Sequence, residues 1–541
     1  MLTKGEIFIF TAKLLRSDEN NFCIFFILLI LTSCKEKVSP KAVPIPKIEI
    51  TEAGKIIPID SAKIAKIKDS SVIAFYNTHK NYTFWMLDAH RENITALFNN
   101  LEKDGLFSKD FDLKKIQHSE ENLAKLSNSE LVDYDILLTE NLSRYVQKVS
   151  KGSLNPNKLY SNWELKENNI NFKTLLLNFQ KKDSFDFAVD AASPNHIVYK
   201  RLKAALKVVN ALPKYNLKNI DIKNKIVLND TNVAMIEVKK KLIYWKDLKP
   251  LDTINSIYDE ATELAIRKFQ IRHGLGTDGV IGGGTIEALN FTKEQRKKQI
   301  IVNMERWRWY PREFESEYFI INIPDYSLRI IKNADTIRAH RVIIGRPARK
   351  TPVLSSKLTH LIFNPTWTVP PTILKNDVVP AAIENRNYFS SKNITIYDSN
   401  NQVVSPWQWS ARNAGNYRYV QSPGEQNSLG LVKFMFPNRF TVYLHDTNTK
   451  GFFEKDIRAL SSGCVRVQNP FELTEYLLED PEKWNLEKIM EAINTGKTSQ
   501  VQINKAVYIH ILYWTAWSEN GTLQFRDDLY SLDMDLYKKL D

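Results

Sequence analysis

The feature that most constrains this chain is a change of period partway along it. Upstream of about residue 310, positions that suit a core recur at intervals of three and four. Examples are Leu131, Tyr134, Asp135 and Leu138, then Leu142, Tyr145 and Val146, and later Leu202, Leu206 and Val209. That spacing puts them on single faces of helices. Beyond residue 317 the apolar runs shorten to strand length, at 319–323, 327–331, 341–344, 360–363 and 440–445, divided by turn formers such as Pro324-Asp325 and Gly345-Arg346-Pro347. Two patterns in succession predict a multidomain α+β protein, and 541 residues at roughly 150 per domain leave room for about three domains.

The N-terminus carries an unbroken apolar run over 22–31, ten residues, against the ~20 a membrane-spanning helix needs. It therefore reads as the apolar part of an export signal. It closes on Leu31-Thr32-Ser33-Cys34 before Lys35-Glu36-Lys37, which resembles a bacterial lipobox. That resemblance implies removal of 1–33 and a lipid anchor to a membrane at Cys34. Residues 34–48, with Pro40, Pro44 and Pro46, follow as a tether. The net charge is +13, from 75 Lys and Arg against 62 Asp and Glu. Losing 1–33 leaves it unchanged, since Lys4, Lys13 and Arg16 balance Glu6, Asp18 and Glu19. A basic, exported, tethered chain suits an acidic wall polymer or a membrane surface, and not nucleic acid. The expected place is the periplasm of a Gram-negative-type bacterium, anchored to the inner or outer membrane.

Residues 49–228 read as a helical scaffold. His79, His90, His118 and His196 have no neighbours at metal-ligand spacing there. Residues 229–295 read as a small module: Ala261, Leu264, Ala265 and Phe269 share a helix face after Asp259, Gly274 stops the helix, and Thr285 is the expected N-cap of a helix over 286–289. The string AIRKFQIRHGLGTDGVIGGGTIEALN at 265–290 resembles the three-helix peptidoglycan-binding domain, although such a module can also serve as a spacer. A basic, aromatic connector over 296–316 leads to a mainly β domain over 317–520. Its segment at about 375–430, rich in Asn, Ser and Gly, is too long for a simple connection and reads as an inserted cap. Residues 521–541 are a C-terminal extension expected to pack on that domain.

The chemistry concentrates around Cys464. The other cysteines, Cys23 and Cys34, lie in the leader region, so no disulfide framework is available to the body of the protein. An unpaired cysteine in Ser461-Ser462-Gly463-Cys464-Val465-Arg466, near a histidine and an arginine, can be poised as a thiolate nucleophile. His445 ends the run 440–445, in which alternation places Thr441, Tyr443 and His445 on one face. Asn469, Pro470 and Glu472 read as the start of a helix. Cys464 would then stand on a turn whose Gly463 and Cys464 N–H groups could bind an oxyanion. The histidines of the β domain, His340, His360, His445 and His510, show no zinc spacing, and Gly282-Gly283-Gly284 lacks the Lys-Ser/Thr of a phosphate loop. No metal and no cofactor are expected.

A histidine, fifteen residues (446–460), then Ser-x-Gly-Cys-x-Arg is similar to the signature of the L,D-transpeptidase catalytic domain of YkuD type. The segments around Asn364-Pro365-Thr366-Trp367, Leu429-Gly430, Pro437-Asn438, Tyr443-Leu444-His445-Asp446 and Tyr513-Trp514 resemble the large YcbB-like subfamily. Ser462 stands where many family members have a histidine. The resemblance implies a fold of scaffold, binding module and capped β domain. It also implies 3→3 cross-linking of peptidoglycan stem peptides through a Cys464 thioester, with His445 as base, release of D-Ala, and sensitivity to carbapenems. Tyr443, Ser462 and Gly463 would support the site. Arg466 would either bind a stem carboxylate or form an internal ion pair, and Trp367 would either wall the groove or fill the core. Two alternatives stay open: hydrolysis of the same stems by an L,D-carboxypeptidase, and a non-catalytic, wall-binding lipoprotein.

Overall fold

The computed structural model describes residues 56–181 and 185–541. The export signal, Cys34 and the tether lie outside the described residues. Among those described, no helix is long and apolar enough to cross a membrane.

The scaffold is helical. Its longest helix, Asn128–Lys151, starts at a capping box in which the Ser127 hydroxyl accepts from the Glu130 N–H while the Glu130 carboxylate accepts from the Ser127 N–H. Leu131, Tyr134, Leu138, Leu142, Tyr145 and Val146 are buried along it, as their spacing predicts. Asp135, on the same face, accepts from the Phe84 and Trp85 N–H groups and from the Tyr76 hydroxyl.

The small module over 229–295 has its own core, including Val238, Leu242, Ile266, Phe269 and Leu289. Helix Glu260–His273 is capped by Asp259 and stopped by Gly274 at φ +66°. Its buried face is Thr262, Ala265, Ile266 and Phe269, whereas Ala261 and Leu264 are exposed. The expected face was thus rotated: a 3.6-residue period admits both stripes, and packing chooses the one continued by Ile266. Thr285 does not cap. It lies inside helix Gly283–Asn290, and its hydroxyl donates to the Val280 carbonyl.

The segment expected as a connector is instead a central beam. Helix Lys293–Trp309 is buried along almost its whole last three turns, and its charges are satisfied internally. Arg306 pairs with Asp533 at 2.5 Å, and Arg308 pairs with Glu305. Glu305 also accepts from the N–H groups of Ser153 and Leu154 in the scaffold. Buried charge is tolerated only when paired in this way, and the sequence alone does not reveal the partners.

The β domain is built on a twelve-stranded sheet. Its order is Trp163–Glu164, Val353–Lys357, Tyr508–Leu512, Glu317–Asn322, Ser327–Lys332 and Asp335–Gly345, then Val465–Val467, Leu444–His445, Val432–Met435, His360–Phe363 and Ser499–Gln502; Ala459–Ser461 also pairs with Asp335–Gly345. Its first strand comes from the scaffold, so the boundary at 228 does not separate the two cores. Nor does the boundary at 520 hold, because it cuts the hairpin of Ala516–Glu519 and Thr522–Phe525. The C-terminal helix Asp533–Leu540 does pack on the body of the protein, through Asp533 and Arg306.

The cap is more ordered than its composition suggests. It starts at Trp367, carries a four-stranded sheet (Trp367–Thr368, Arg418–Gln421, Ile394–Tyr397, Val403–Val404) and closes on a core of Phe389, Ile396, Trp409 and Tyr419. Short strands separated by Asn-rich turns leave too little periodicity to be read from sequence.

Candidate active site

The strand carrying His445 is only Leu444–His445, not the whole of 440–445. Asn438 turns the chain before it: its side-chain oxygen accepts from the N–H groups of Phe440 and Val442, and Thr441 is left-handed at φ +55°. Tyr443 and His445 nevertheless share one face, with ring centroids 5.7 Å apart.

Register then assembles the site. Leu444–His445 runs parallel to Val465–Val467, with His445 opposite Arg466, and the Val465 N–H donates to the Tyr443 carbonyl at 3.1 Å. Cys464, one residue before that strand, therefore lies beside Tyr443. The Tyr443 hydroxyl interacts with both the Cys464 thiol and the Trp367 indole. Trp367 is half-buried, sits in the cap sheet opposite Gln421, and packs against the cap core. It thus joins the cap to the residue beside the thiol.

The turn before Cys464 is tightly held. Gly463 has φ +120°, a conformation that favours glycine. Its N–H donates to the Ser461 hydroxyl at 3.1 Å, the Ser461 hydroxyl donates to the Cys464 carbonyl, and the Gly463 carbonyl accepts from Thr351. The Gly463 N–H is thus already engaged and is not an open oxyanion donor, unlike the expectation; the Cys464 N–H remains for that part. Ser462 is exposed, and its hydroxyl accepts from Arg349 at 2.8 Å. Arg349 also pairs with Asp377 of the cap, as does Arg346. Asn469, after the turn, is left-handed and makes no capping bond. An N-cap side chain reaches the first N–H groups only from extended backbone, so helix Pro470–Leu478 starts on its proline alone.

Burial dominates the electrostatics. It raises the Cys464 thiol, an effect partly offset by the Tyr443 N–H, by Lys433, by the Tyr443 hydroxyl and by Arg466. His445 is pushed down to about 3, first by burial and then by the Arg466 guanidinium; the carbonyls of Asp446 and Leu429 oppose this, and Lys433 adds to it. At neutral pH the thiol and the imidazole are therefore both neutral at rest, and the thiolate is not preformed. A neutral imidazole is the form that can accept a proton. His445 Nδ1 is buried with no hydrogen-bond partner.

Arg466 forms no ion pair among the described residues. Its guanidinium donates to the Thr449 hydroxyl at 3.2 Å, and its Nε is buried without a partner. Of the two roles open to it, the internal salt bridge is not made. Lys433, half-buried on the neighbouring strand and opposite His445, was missed from sequence. The alternation of Val432, Lys433 and Phe434 signals only that Lys433 faces away from the core. No group of three or more His, Cys, Asp or Glu side chains able to hold a metal occurs among the described residues.

Residues 316–515 match the family described as L,D-transpeptidase catalytic domain, residues 231–289 the "Putative peptidoglycan binding domain", and residues 70–206 a scaffold domain. A Haemophilus influenzae protein described as "Putative L,D-transpeptidase" is 35% identical over 240 residues, covering 44% of this chain and 48% of the relative. The chain thus spans about half the length of that relative. Solved structures it resembles include an L,D-transpeptidase of Xylanimonas cellulosilytica, at 12% identity, 54% of this chain and 99% of that one, with a TM-score of 0.18. Another is an L,D-transpeptidase from Stackebrandtia nassauensis, at 11% identity, 55% and 97% coverage, with a TM-score of 0.21.

Proposed function

Residues 316–515 are an L,D-transpeptidase catalytic domain of the cysteine-dependent family, preceded by a scaffold domain and a peptidoglycan-binding domain, and from that premise we propose that this chain forms 3→3 cross-links between peptidoglycan stem peptides. The observation that carries the reading is Tyr443 alongside the Cys464 thiol, with His445 and Arg466 paired two residues further along the same two strands.

The sulfur attacks the carbonyl carbon of the third residue, a diamino acid such as diaminopimelate, in a donor tetrapeptide. Its proton passes to His445 as the carbon–sulfur bond forms. The tetrahedral oxyanion is met by the Cys464 N–H. Collapse breaks the peptide bond, and the amine of D-Ala leaves with the proton that His445 returns, giving a thioester. The side-chain amine of the third residue of an acceptor stem then attacks the thioester. His445 takes its proton and returns it to the sulfur, and the new amide links the two third residues. One amide is exchanged for another, so no nucleotide is consumed. Arg466, with no carboxylate partner among the described residues, is suited to a stem carboxylate in a bidentate grip. Trp367 positions the Tyr443 hydroxyl and walls the groove on the cap side. The binding module would hold glycan near the site. A lipid at Cys34 would confine the enzyme to the periplasmic face of a membrane.

The test is intact mass spectrometry of the full chain after incubation with a carbapenem and, separately, with a disaccharide tetrapeptide. Expected are one adduct at Cys464, dimeric stems from the parent, and neither from Cys464→Ala; His445→Ala should fall nearly as far. Cross-linking by either variant within tenfold of the parent would sink the mechanism. Tripeptide without dimers would favour hydrolysis, and no adduct with sacculus binding retained would favour an idle wall-binding lipoprotein.

A further inference from the structure

Lys433 is half-buried and has no hydrogen bond or ion pair among the described residues. An ammonium withdrawn from water without a counter-charge is unfavourable, so its position calls for a reason. Strand Val432–Met435 is antiparallel to Leu444–His445, with Lys433 opposite His445, and His445 is in turn opposite Arg466 on the next strand. Lys433, His445 and Arg466 therefore lie side by side in one row. Val432 and Phe434 are buried in the core on the reverse face. The Lys433 Nζ stands 3.8 Å from the centroid of the Tyr443 ring, close enough for the ring face to hold it, and the hydroxyl of that ring interacts with the Cys464 thiol.

The charged and titratable groups around this row are few. Tyr443, His445 and Cys464 are neutral at rest, Arg466 is cationic, and His360, on the strand paired to the other side of Val432–Met435, is pushed down by burial and by Lys433. Asp446 is turned away: its carboxylate accepts from the Leu431 N–H, and burial raises its pKa. The counter-charge that Lys433 lacks is thus the one that appears when Cys464 loses its proton. Resting on the reading of Cys464 as nucleophile, we propose that Lys433 is a positioning residue whose ammonium, held on the Tyr443 ring, stabilises the Cys464 thiolate formed during the reaction. His445 cannot supply that charge until it has taken the proton.

The thiol itself is the readout. Full-length parent, Lys433→Met, Lys433→Gln and Lys433→Arg are alkylated with iodoacetamide between pH 6 and 10. Modification is followed on the tryptic peptide of residues 459–466, with Cys464→Ala as the blank. Removing the charge is expected to raise the midpoint of the rate profile by about one pH unit. A thiol of higher pKa is also the stronger nucleophile once ionised. The uncharged variants should therefore react about three- to fourfold slower near neutral pH, a slowing that packing damage, which exposes the thiol, does not produce. Lys433→Arg should restore the parent profile to within about half a pH unit. The proposal is overturned by Met and Gln profiles that superimpose on the parent's, or by an Arg profile that follows theirs. Turnover of stem peptides is not part of this measurement. Loss of cross-linking with the shifted profile intact would refute the transpeptidase reading and leave the role of Lys433 in place.

Discussion

Gly430 offers a sharp test of how the site is held. Its φ is +63°, and a Cβ built on it would lie 2.4 Å from both Cγ and Oδ2 of Asp446 and 2.5 Å from Asp446 Cβ. Alanine there meets two costs. Left-handed backbone is unfavourable for an L-residue by about 1–2 kcal/mol. Displacing Asp446, which gives up its bond from the Leu431 N–H, adds an overpacking cost of about 1–3 kcal/mol. The sum for Gly430→Ala is about 2–5 kcal/mol of stability, and the shift of Asp446 carries to its neighbour His445. Gly451→Ala is the control, since nothing lies within 4 Å of its added Cβ, and it should stay within about 0.5 kcal/mol of the parent. The assay is urea unfolding followed by tryptophan fluorescence, paired with the rate of carbapenem adduct formation at Cys464. If Gly430→Ala unfolds at the same urea concentration as Gly451→Ala, the packing of Asp446 against this turn is not the constraint inferred here.

Other expectations rest on equally local features. Asp533→Ala leaves Arg306 buried without its carboxylate and removes the acceptor of the Thr515 hydroxyl, so it should cost about 3–5 kcal/mol, measured as the same urea midpoint. Burial raises Asp135 to about 7, outweighing its hydrogen bonds from Tyr76, Trp85 and Phe84. Below about pH 4 the carboxyl is neutral in both folded and unfolded chains. As pH rises through about 7 the unfolded chain loses its proton first, so this residue's contribution to stability is lost across that window. The stability of the parent relative to Asp135→Asn should therefore decline between pH 4 and 7.5 by about 1–3 kcal/mol; a gap that widens with pH would reverse the sign. Trp367→Phe keeps an aromatic ring but removes the indole N–H that interacts with the Tyr443 hydroxyl. Losing about 0.5–1.5 kcal/mol of positioning should slow adduct formation about two- to twelvefold, with the unfolding midpoint nearly unchanged.

Much of the plan was legible from residues alone, and what was not shares one cause. The helical period of the scaffold, the helix start after Asp259, the stop at Gly274 and the strands at Glu317–Asn322, Ser327–Lys332, Asp335–Gly345 and His360–Phe363 are encoded within a few neighbours, so local physics is enough to read them. The same holds for the nucleophile: a lone thiol in Ser-Ser-Gly-Cys-Val-Arg with a histidine upstream is a chemical statement that needs no coordinates. Errors arose where a residue's role depends on a partner far along the chain. Arg306 and Arg308 look like a solvated connector until Asp533 and Glu305 are brought to them. The Gly463 N–H looks free until the Ser461 hydroxyl takes it. Trp163–Glu164 reads as scaffold until it pairs with Val353–Lys357. Lys433 is an unremarkable strand lysine until two strand registers set it beside His445 and Arg466. Sequence by itself determined the period, the turns and the reactive groups, because each depends on bonds and contacts among near neighbours. Tertiary structure decided which charges are paired, which N–H groups are left open and which side chains face the sulfur, because those depend on strand register and burial, and both are properties of the assembled fold.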